Sequence, residues 1–281
     1  MRHRINGNLT HTRDPTLSVL PPEDRNETSS LSHAMTTPDG IINFDKPTGI
    51  TSAKALYKIR SITRQRKSGH AGTLDPGASG VLVICMGRAT KLVEAIMNQP
   101  KVYRATARLD VTSESFDSGR PMIPMEVSVE PPMDGVHDAL MSFEGTIEQV
   151  PPAVSAIKVG GVASYKRAAR GQEVKLGPRP VNIYWLHLHS YAWPDIDFEV
   201  CCGRGTYIRS LIRDIGERLG TGGCLTSLVR KQVGPFLDTD AWTLDRLREA
   251  AGQSEYLVPL DRARELLIKE PVEVPRRPLP S

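Results

Sequence analysis

No apolar run in this chain of 281 residues approaches the length of a membrane-crossing helix. The opening stretch, 1–37, has no apolar core of a signal peptide, and its acids Asp14, Glu23, Asp24 and Glu27 argue against a transit peptide. It reads as a disordered leader. The 4 cysteines, Cys85, Cys201, Cys202 and Cys224, include no Cys-x-x-Cys pair, so zinc is not expected and reduced thiols in a cytoplasmic chain are the default. A Gly-Lys-Ser/Thr sequence is missing, which excludes a phosphate-cradling P-loop. Internal repeats and regular βαβ alternation are missing too, so an α+β fold is expected over a solenoid or a doubly wound sheet. What remains is 39% apolar, enough for a sizeable core.

Against these absences stands one glycine-rich stretch, Gly69-His70-Ala71-Gly72-Thr73-Leu74-Asp75-Pro76-Gly77-Ala78-Ser79, followed by Gly80 and the apolar run Val81-Leu82-Val83-Ile84. Glycines here let backbone approach a ligand, and Asp75 sits just before a buried strand, where a carboxylate can be fixed in a cleft. Asp-Pro-Gly is also an ordinary turn, and the residues alone leave both readings open.

Upstream of that loop, no acid occurs between Thr51 and Lys67, whereas Lys54, Lys58, Arg60, Arg64, Arg66 and Lys67 all do. Ala55, Leu56, Ile59 and Ile62 follow helical spacing with Thr51 or Ser52 as cap, which predicts an amphipathic helix whose basic side suits phosphate contacts or plain solvation. A second helix is predicted from Ile208, Leu211, Ile212, Ile215 and Leu219, just after Gly205. Arg209 falls in its first turn, where the helix dipole disfavours a cation, so a specific anionic partner is expected. Lys101 to Leu109 alternates as a strand, which leaves Tyr103 either a core tyrosine or a ring facing a ligand. Tyr184 to Tyr191 and Asp197 to Cys202 read as further strands, with His187 and His189 on one strand face and too few neighbours to hold a metal.

Taken together, Gly69 to Leu92 resembles the catalytic motif of the TruB-type tRNA pseudouridine synthases. Phe44 to Ser52 is similar to that family's Lys-Pro motif, Lys101 to Ala105 to its tyrosine motif, Arg204 to Arg209 to its arginine motif, and Leu228 to Phe236 to a further signature. The resemblance covers roughly 40–260, in the family's order. It implies the pseudouridine synthase fold, a mixed and mainly antiparallel sheet with a central RNA-binding cleft and flanking helices. It also implies isomerisation of uridine to pseudouridine by base flipping, at position 55 of the tRNA T-loop, with no cofactor and no metal.

By that resemblance Asp75, Tyr103 and Arg209 are catalytic, Arg209 pairing with Asp75 and Tyr103 holding the loose base by stacking. His70 enters the RNA loop, while Lys46, Tyr207, Lys158, Arg167 and Arg170 bind substrate, the last three on an RNA-clamping insertion at 150–171. A catalytic domain is expected at 38–260, and 261–281, rich in proline, reads as a short tail with no room for the family's usual C-terminal RNA-binding domain. The expected partner is tRNA through its T-arm, with no membrane and no protein partner, for a monomer in the cytoplasm. The alternative is a non-catalytic RNA-binding or tRNA-folding protein using the same cleft without turnover.

Overall fold

Residues 39–155, 158–159, 162–164, 167, 176–251, 254–267 and 274–278 are described in a computed structural model of the chain. The strands are β1 (Gly40–Lys46), β2 (Ser68–His70), β3 (Ser79–Met86), β4 (Lys101–Arg108), β5 (Val111–Thr112), β6 (Ile123–Pro124), β7 (Gly145–Gln149), β8 (Lys158–Val159), β9 (Val162–Ala163), β10 (Arg179–Ala192), β11 (Asp195–Cys202), β12 (Cys224–Val233), β13 (Phe236–Leu237) and β14 (Val258–Pro259). The helices are α1 (Ser52–Thr63), α2 (Val93–Asn98), α3 (Met133–Met141), α4 (Ile208–Leu219), α5 (Leu244–Glu249) and α6 (Leu260–Leu267).

One large mixed sheet dominates, in the order β14-β1-β3-β12-β4-β11-β10-β7. All its pairings are antiparallel except the short one between β3 and β12, where Ser79 faces Val229 and Gly80 faces Arg230. Gly80 has φ +94°, and a Cβ there would lie 2.3 Å from the Arg230 carbonyl oxygen. Only glycine permits so close an approach of two backbones at that φ. The parallel junction lies at the middle of the sheet, directly after the loop that carries Asp75.

Two apolar cores flank that junction. Leu56 and Ile59 of α1 pack with Phe44, Leu82, Ile84 and Leu247 on one side. On the other, Leu211, Ile212 and Ile215 of α4 pack with Ala107, Leu186 and Phe198. Tyr103 and Leu228 are partly buried against both, so they line the seam. Local signals explain both helices. Thr51 Oγ1 accepts from the Lys54 amide at 3.0 Å to start α1, and Gly220, at φ 71°, closes α4 by donating to the carbonyls of Gly216 and Glu217.

The C-terminal segment differs from the proline-rich tail that the sequence suggests. Residues 260–267 form α6, with Leu260 and Ala263 buried beside Ile41 and Val83, and β14 pairs with β1. Further on, the Trp185 indole donates to the Pro275 carbonyl at 2.6 Å and Arg277 pairs with Glu144. Prolines stop a helix, but they do not keep the chain off the core: apolar residues at 260, 263 and 267 supply a stripe before them. Of the 150–171 segment, the described part holds the hairpin of β8 with β9.

Candidate active site

The site is built on three elements that the sheet brings to one seam. Asp75 belongs to the loop before β3, and this loop is a turn as well as a carboxylate platform: the Ala78 amide donates to the Asp75 carbonyl at 3.1 Å. Gly49 donates to the Pro76 carbonyl at 2.8 Å, and Ser52 Oγ bonds both the amide and the carbonyl of Leu74, at 2.8 and 2.9 Å. Backbone bonds thus hold the loop on both sides, so the Asp75 side chain, 43% exposed, is presented to solvent from a rigid base.

Arg209 reaches it from the first turn of α4. Its Nη2 lies 2.9 Å from Asp75 Oδ2, while the side chain is only 5% exposed. The same guanidinium donates from Nη1 to the Ser115 carbonyl at 3.1 Å and from Nη2 to the Val154 carbonyl at 3.0 Å, and its Nε stands 3.6 Å from Asp117 Oδ2. A buried guanidinium needs acceptors on every side, and two carboxylates and two carbonyls supply them. Asp117 is a residue that sequence reasoning missed. It lies in a serine-rich loop where no periodicity or motif singles it out.

Gln149, 1% exposed, is a second omission. Its Oε1 accepts from the Tyr207 amide at 2.8 Å and its Nε2 donates to the Tyr207 carbonyl at 3.1 Å, so one side chain clamps the backbone where α4 begins. That clamp sets the direction from which Arg209 enters the seam. Ser210 Oγ and Arg213 Nη2 both donate to the Val150 carbonyl, at 2.8 and 3.1 Å, tying the root of the 150–171 segment to the same helix.

Arg230 is the third omission, a charge only 1% exposed. Its Nε donates to the Val81 carbonyl at 2.7 Å and its Nη2 to the Gly72 carbonyl at 3.1 Å, which locks the glycine loop to β3. Burial pushes the pKa of the neighbouring Tyr103 hydroxyl up, with the charge of Arg230 opposing it. Tyr103 therefore stays a neutral phenol at physiological pH.

Two cavities open on either side of the Asp75–Arg209 pair, of about 450 and 290 Å³. Gly72, Tyr103, Tyr207 and Leu228 line the larger, Asp117, Ser118, Arg120 and Thr226 the smaller, and Asp75, Arg209 and Leu228 belong to both. An aromatic ring and an aliphatic side chain beside a carboxylate offer a flat heterocycle an apolar surface in the larger cavity.

The remaining sequence candidates fall in different places. Tyr207 lines the larger cavity, its hydroxyl pKa raised by burial. His70 ends β2, partly buried, with Nδ1 buried and without a hydrogen-bond partner among the described residues. Burial first, then the charge of Arg230, pulls its pKa down, so the ring is neutral at pH 7. Lys46 does not face a ligand. It is fully buried, its Nζ donating to the carbonyls of Pro47 and Ile50 at 2.8 Å each, so it shapes the turn before α1 instead of reaching RNA. Burial lowers its pKa to about 8. Lys158 lies in β8 and Arg167 is partly buried further along the same segment, whereas Arg170 is outside the described residues.

This sheet, split by a seam that holds an acid, a buried arginine and a tyrosine, has the architecture of the RNA pseudouridine synthases. A model of the "TruB family pseudouridylate synthase (N terminal domain)" matches residues 60–208, and one of the "tRNA pseudouridylate synthase B C-terminal domain" matches 209–265. The chain belongs to the TruB family of pseudouridylate synthases.

It is 40% identical over 225 residues to tRNA pseudouridine synthase B of Clostridium kluyveri, covering 80% of this chain and 77% of that one. To the protein of that name from an Arthrobacter species it is 42% identical over 216 residues, covering 75% and 71%. Among solved structures, a chain of a Cbf5-Nop10-Gar1 complex is similar with TM-score 0.62 and 32% identity. The match covers 81% of this chain but 62% of that one.

The match over 209–265 corrects the expectation that the family's C-terminal domain is missing. The residues it covers are not a separate appendage, since they supply α4 with Arg209 and the central strand β12 with Leu228 and Arg230. Cutting the family pattern at 260 as catalytic domain and tail therefore divides a segment that the sheet itself uses.

Proposed function

We propose that this chain isomerises uridine to pseudouridine in tRNA, with uridine 55 of the T-loop as its target. The observation that carries the reading is the 2.9 Å contact between Arg209 and Asp75 at the mouth of a cavity lined by Tyr103 and Leu228. The reaction breaks the bond from N1 to C1′, turns the retained uracil, and joins C5 to C1′. C5 gives up its proton and N1 gains one, so no water is consumed and no electron is transferred.

Asp75 serves as nucleophile at the sugar or as base toward the C5 proton, and Arg209 holds its carboxylate in place through the ion pair from Nη2. Tyr103 holds the detached ring by stacking, with Leu228 beside it, while the ring turns. The target must leave its stack first, and His70, as a neutral ring, fills the gap that the flipped nucleotide leaves. Tyr207 bounds the base pocket, and Lys158, Arg167 and Arg170 grip the RNA backbone from the 150–171 segment. The enzyme works as a single chain in the cytoplasm, with no cofactor.

The deciding experiment is Asp75→Asn. The variant should lose pseudouridine formation in a tRNA transcript while binding that transcript within a fewfold of wild type, since chemistry rests on the carboxylate and affinity on the cationic surface. Turnover within tenfold of wild type in a folded variant would remove Asp75 from the mechanism. A wild-type protein that binds tRNA and makes no pseudouridine would instead favour the RNA-folding alternative.

A further inference from the structure

The outer face of α1 has no role in the site described above. This helix buries Ala55, Leu56 and Ile59 and turns Ala53, Lys54, Tyr57 and Ser61 to solvent. Tyr57 is 72% exposed. Its neighbours one turn away are small, Ala53 at i−4 and Ser61 at i+4, so nothing bulky on the helix covers the ring on that side. Arg60, at i+3, is engaged elsewhere, donating to Ser68 Oγ at 2.8 Å and to the Ser68 carbonyl at 2.6 Å.

A single exposed aromatic needs no explanation. Here it stands in a field of one sign. There is no acid between Thr51 and Lys67, and Lys54, Lys58, Arg64 and Arg66 form no ion pair among the described residues. An exposed helix usually intersperses acids to offset its cations at i and i+4, and this one leaves them unbalanced. The helix also begins close to the chemistry: Ser52, its first residue, is bonded on the buried side to Leu74 next to Asp75, and Tyr57 stands about 8 Å further along the axis on the outer side.

We propose that this face is a second RNA contact, in which Tyr57 stacks on an unpaired base of the substrate RNA and Lys54 and Lys58 take the phosphates beside it. The inference rests on the functional reading above and adds to it a base-stacking platform outside the catalytic cavity. Unstacked bases present a π-face to any aromatic ring, and a basic groove that tracks the backbone supplies the rest of the affinity. A duplex offers no such face, so the platform selects RNA with a splayed nucleotide next to the target loop.

The test uses the full chain carrying Asp75→Asn, to prevent turnover, and a tRNA transcript titrated at several salt concentrations. Tyr57→Ala should weaken binding about tenfold, Tyr57→Phe should stay within about twofold of the parent, and Tyr57→Leu should resemble the alanine variant. Lys54→Gln with Lys58→Gln should reduce the slope of log affinity against log salt by between one and two. In the otherwise wild-type chain, Tyr57→Ala should raise KM and leave the single-turnover rate at saturating RNA unchanged.

Equal affinities for alanine and wild type would overturn the proposal, and so would a leucine variant that binds as well as phenylalanine, because an apolar side chain without a π-face would then suffice. Thermal melts of each variant separate folding from binding, and a solvent-exposed ring predicts no change in midpoint. Wild-type turnover in the same transcript separates the two readings. If pseudouridine forms and Tyr57 is silent, only the platform is lost; if none forms, the functional reading has failed.

Discussion

A guanidinium with 1% exposure at Arg230 replaces hydration with two backbone carbonyls, those of Gly72 and Val81. Arg230→Met keeps the length of the side chain and removes both donors, leaving two buried acceptors unpaired. We expect a loss of roughly 2–4 kcal/mol, read as a lower urea midpoint at unchanged slope, together with reduced turnover because the loop before Asp75 is no longer locked. Normal stability would mean that the carbonyls find other donors. At Arg209 the lysine variant is the sharper probe: it retains charge but cannot serve Asp75, Asp117, Ser115 and Val154 together. Single-turnover rates should fall about a hundredfold with RNA affinity nearly intact.

Lys101 offers a residue-scale test by pH. Its Nζ donates to the Gln99 carbonyl at 2.7 Å and to that of Met97, and burial lowers its pKa to about 8 from 10.5. Because the folded value is the lower one, the unfolded chain binds the extra proton between these values, and folding gains as pH rises through that window. Relative to Lys101→Met, wild type should therefore gain up to about 3 kcal/mol between pH 7.5 and 10.5. Urea midpoints of both proteins across that range check it, and parallel curves would show that the buried amine does not titrate there.

At the scale of elements, what was legible in the sequence is what periodicity and caps encode. α1 and α4 follow from stripes at 55, 56, 59 and at 208, 211, 212, 215, and β4, β10 and β11 from alternation. The pairing partner of Arg209 was named from the family motif, and a first-turn cation gave an independent reason to seek an anion. Asp117, Gln149 and Arg230 were not legible, because their meaning comes from neighbours 92, 58 and 158 residues away in sequence. α6 was obscured by the prolines beyond it, though Leu260, Ala263 and Leu267 have helical spacing.

The parallel junction yields the element-scale prediction. Gly80→Ala asks for a Cβ 2.3 Å from the Arg230 carbonyl oxygen at φ +94°, so β3 and β12 must separate. We expect more than about 3 kcal/mol of destabilisation, or no soluble protein, with Gly77→Ala, which meets nothing within 4 Å, as a mild control.

For the whole molecule, the order of the sheet has a consequence for how the chain is made. β12 lies between β3 and β4, yet it is synthesised more than a hundred residues after both. During elongation at roughly 5–20 residues per second, these two strands wait on the order of ten seconds with exposed edges and no partner between them. The Gly80 close approach, the Arg230 lock and the Leu228 wall all arrive together with that single late strand. A nascent chain released or stalled before Cys224 consequently carries Asp75 and Tyr103 but lacks the strand that completes the seam. Such fragments lack the assembled site and leave strand edges open to pair with one another, so premature termination removes activity even though Asp75 has already been made.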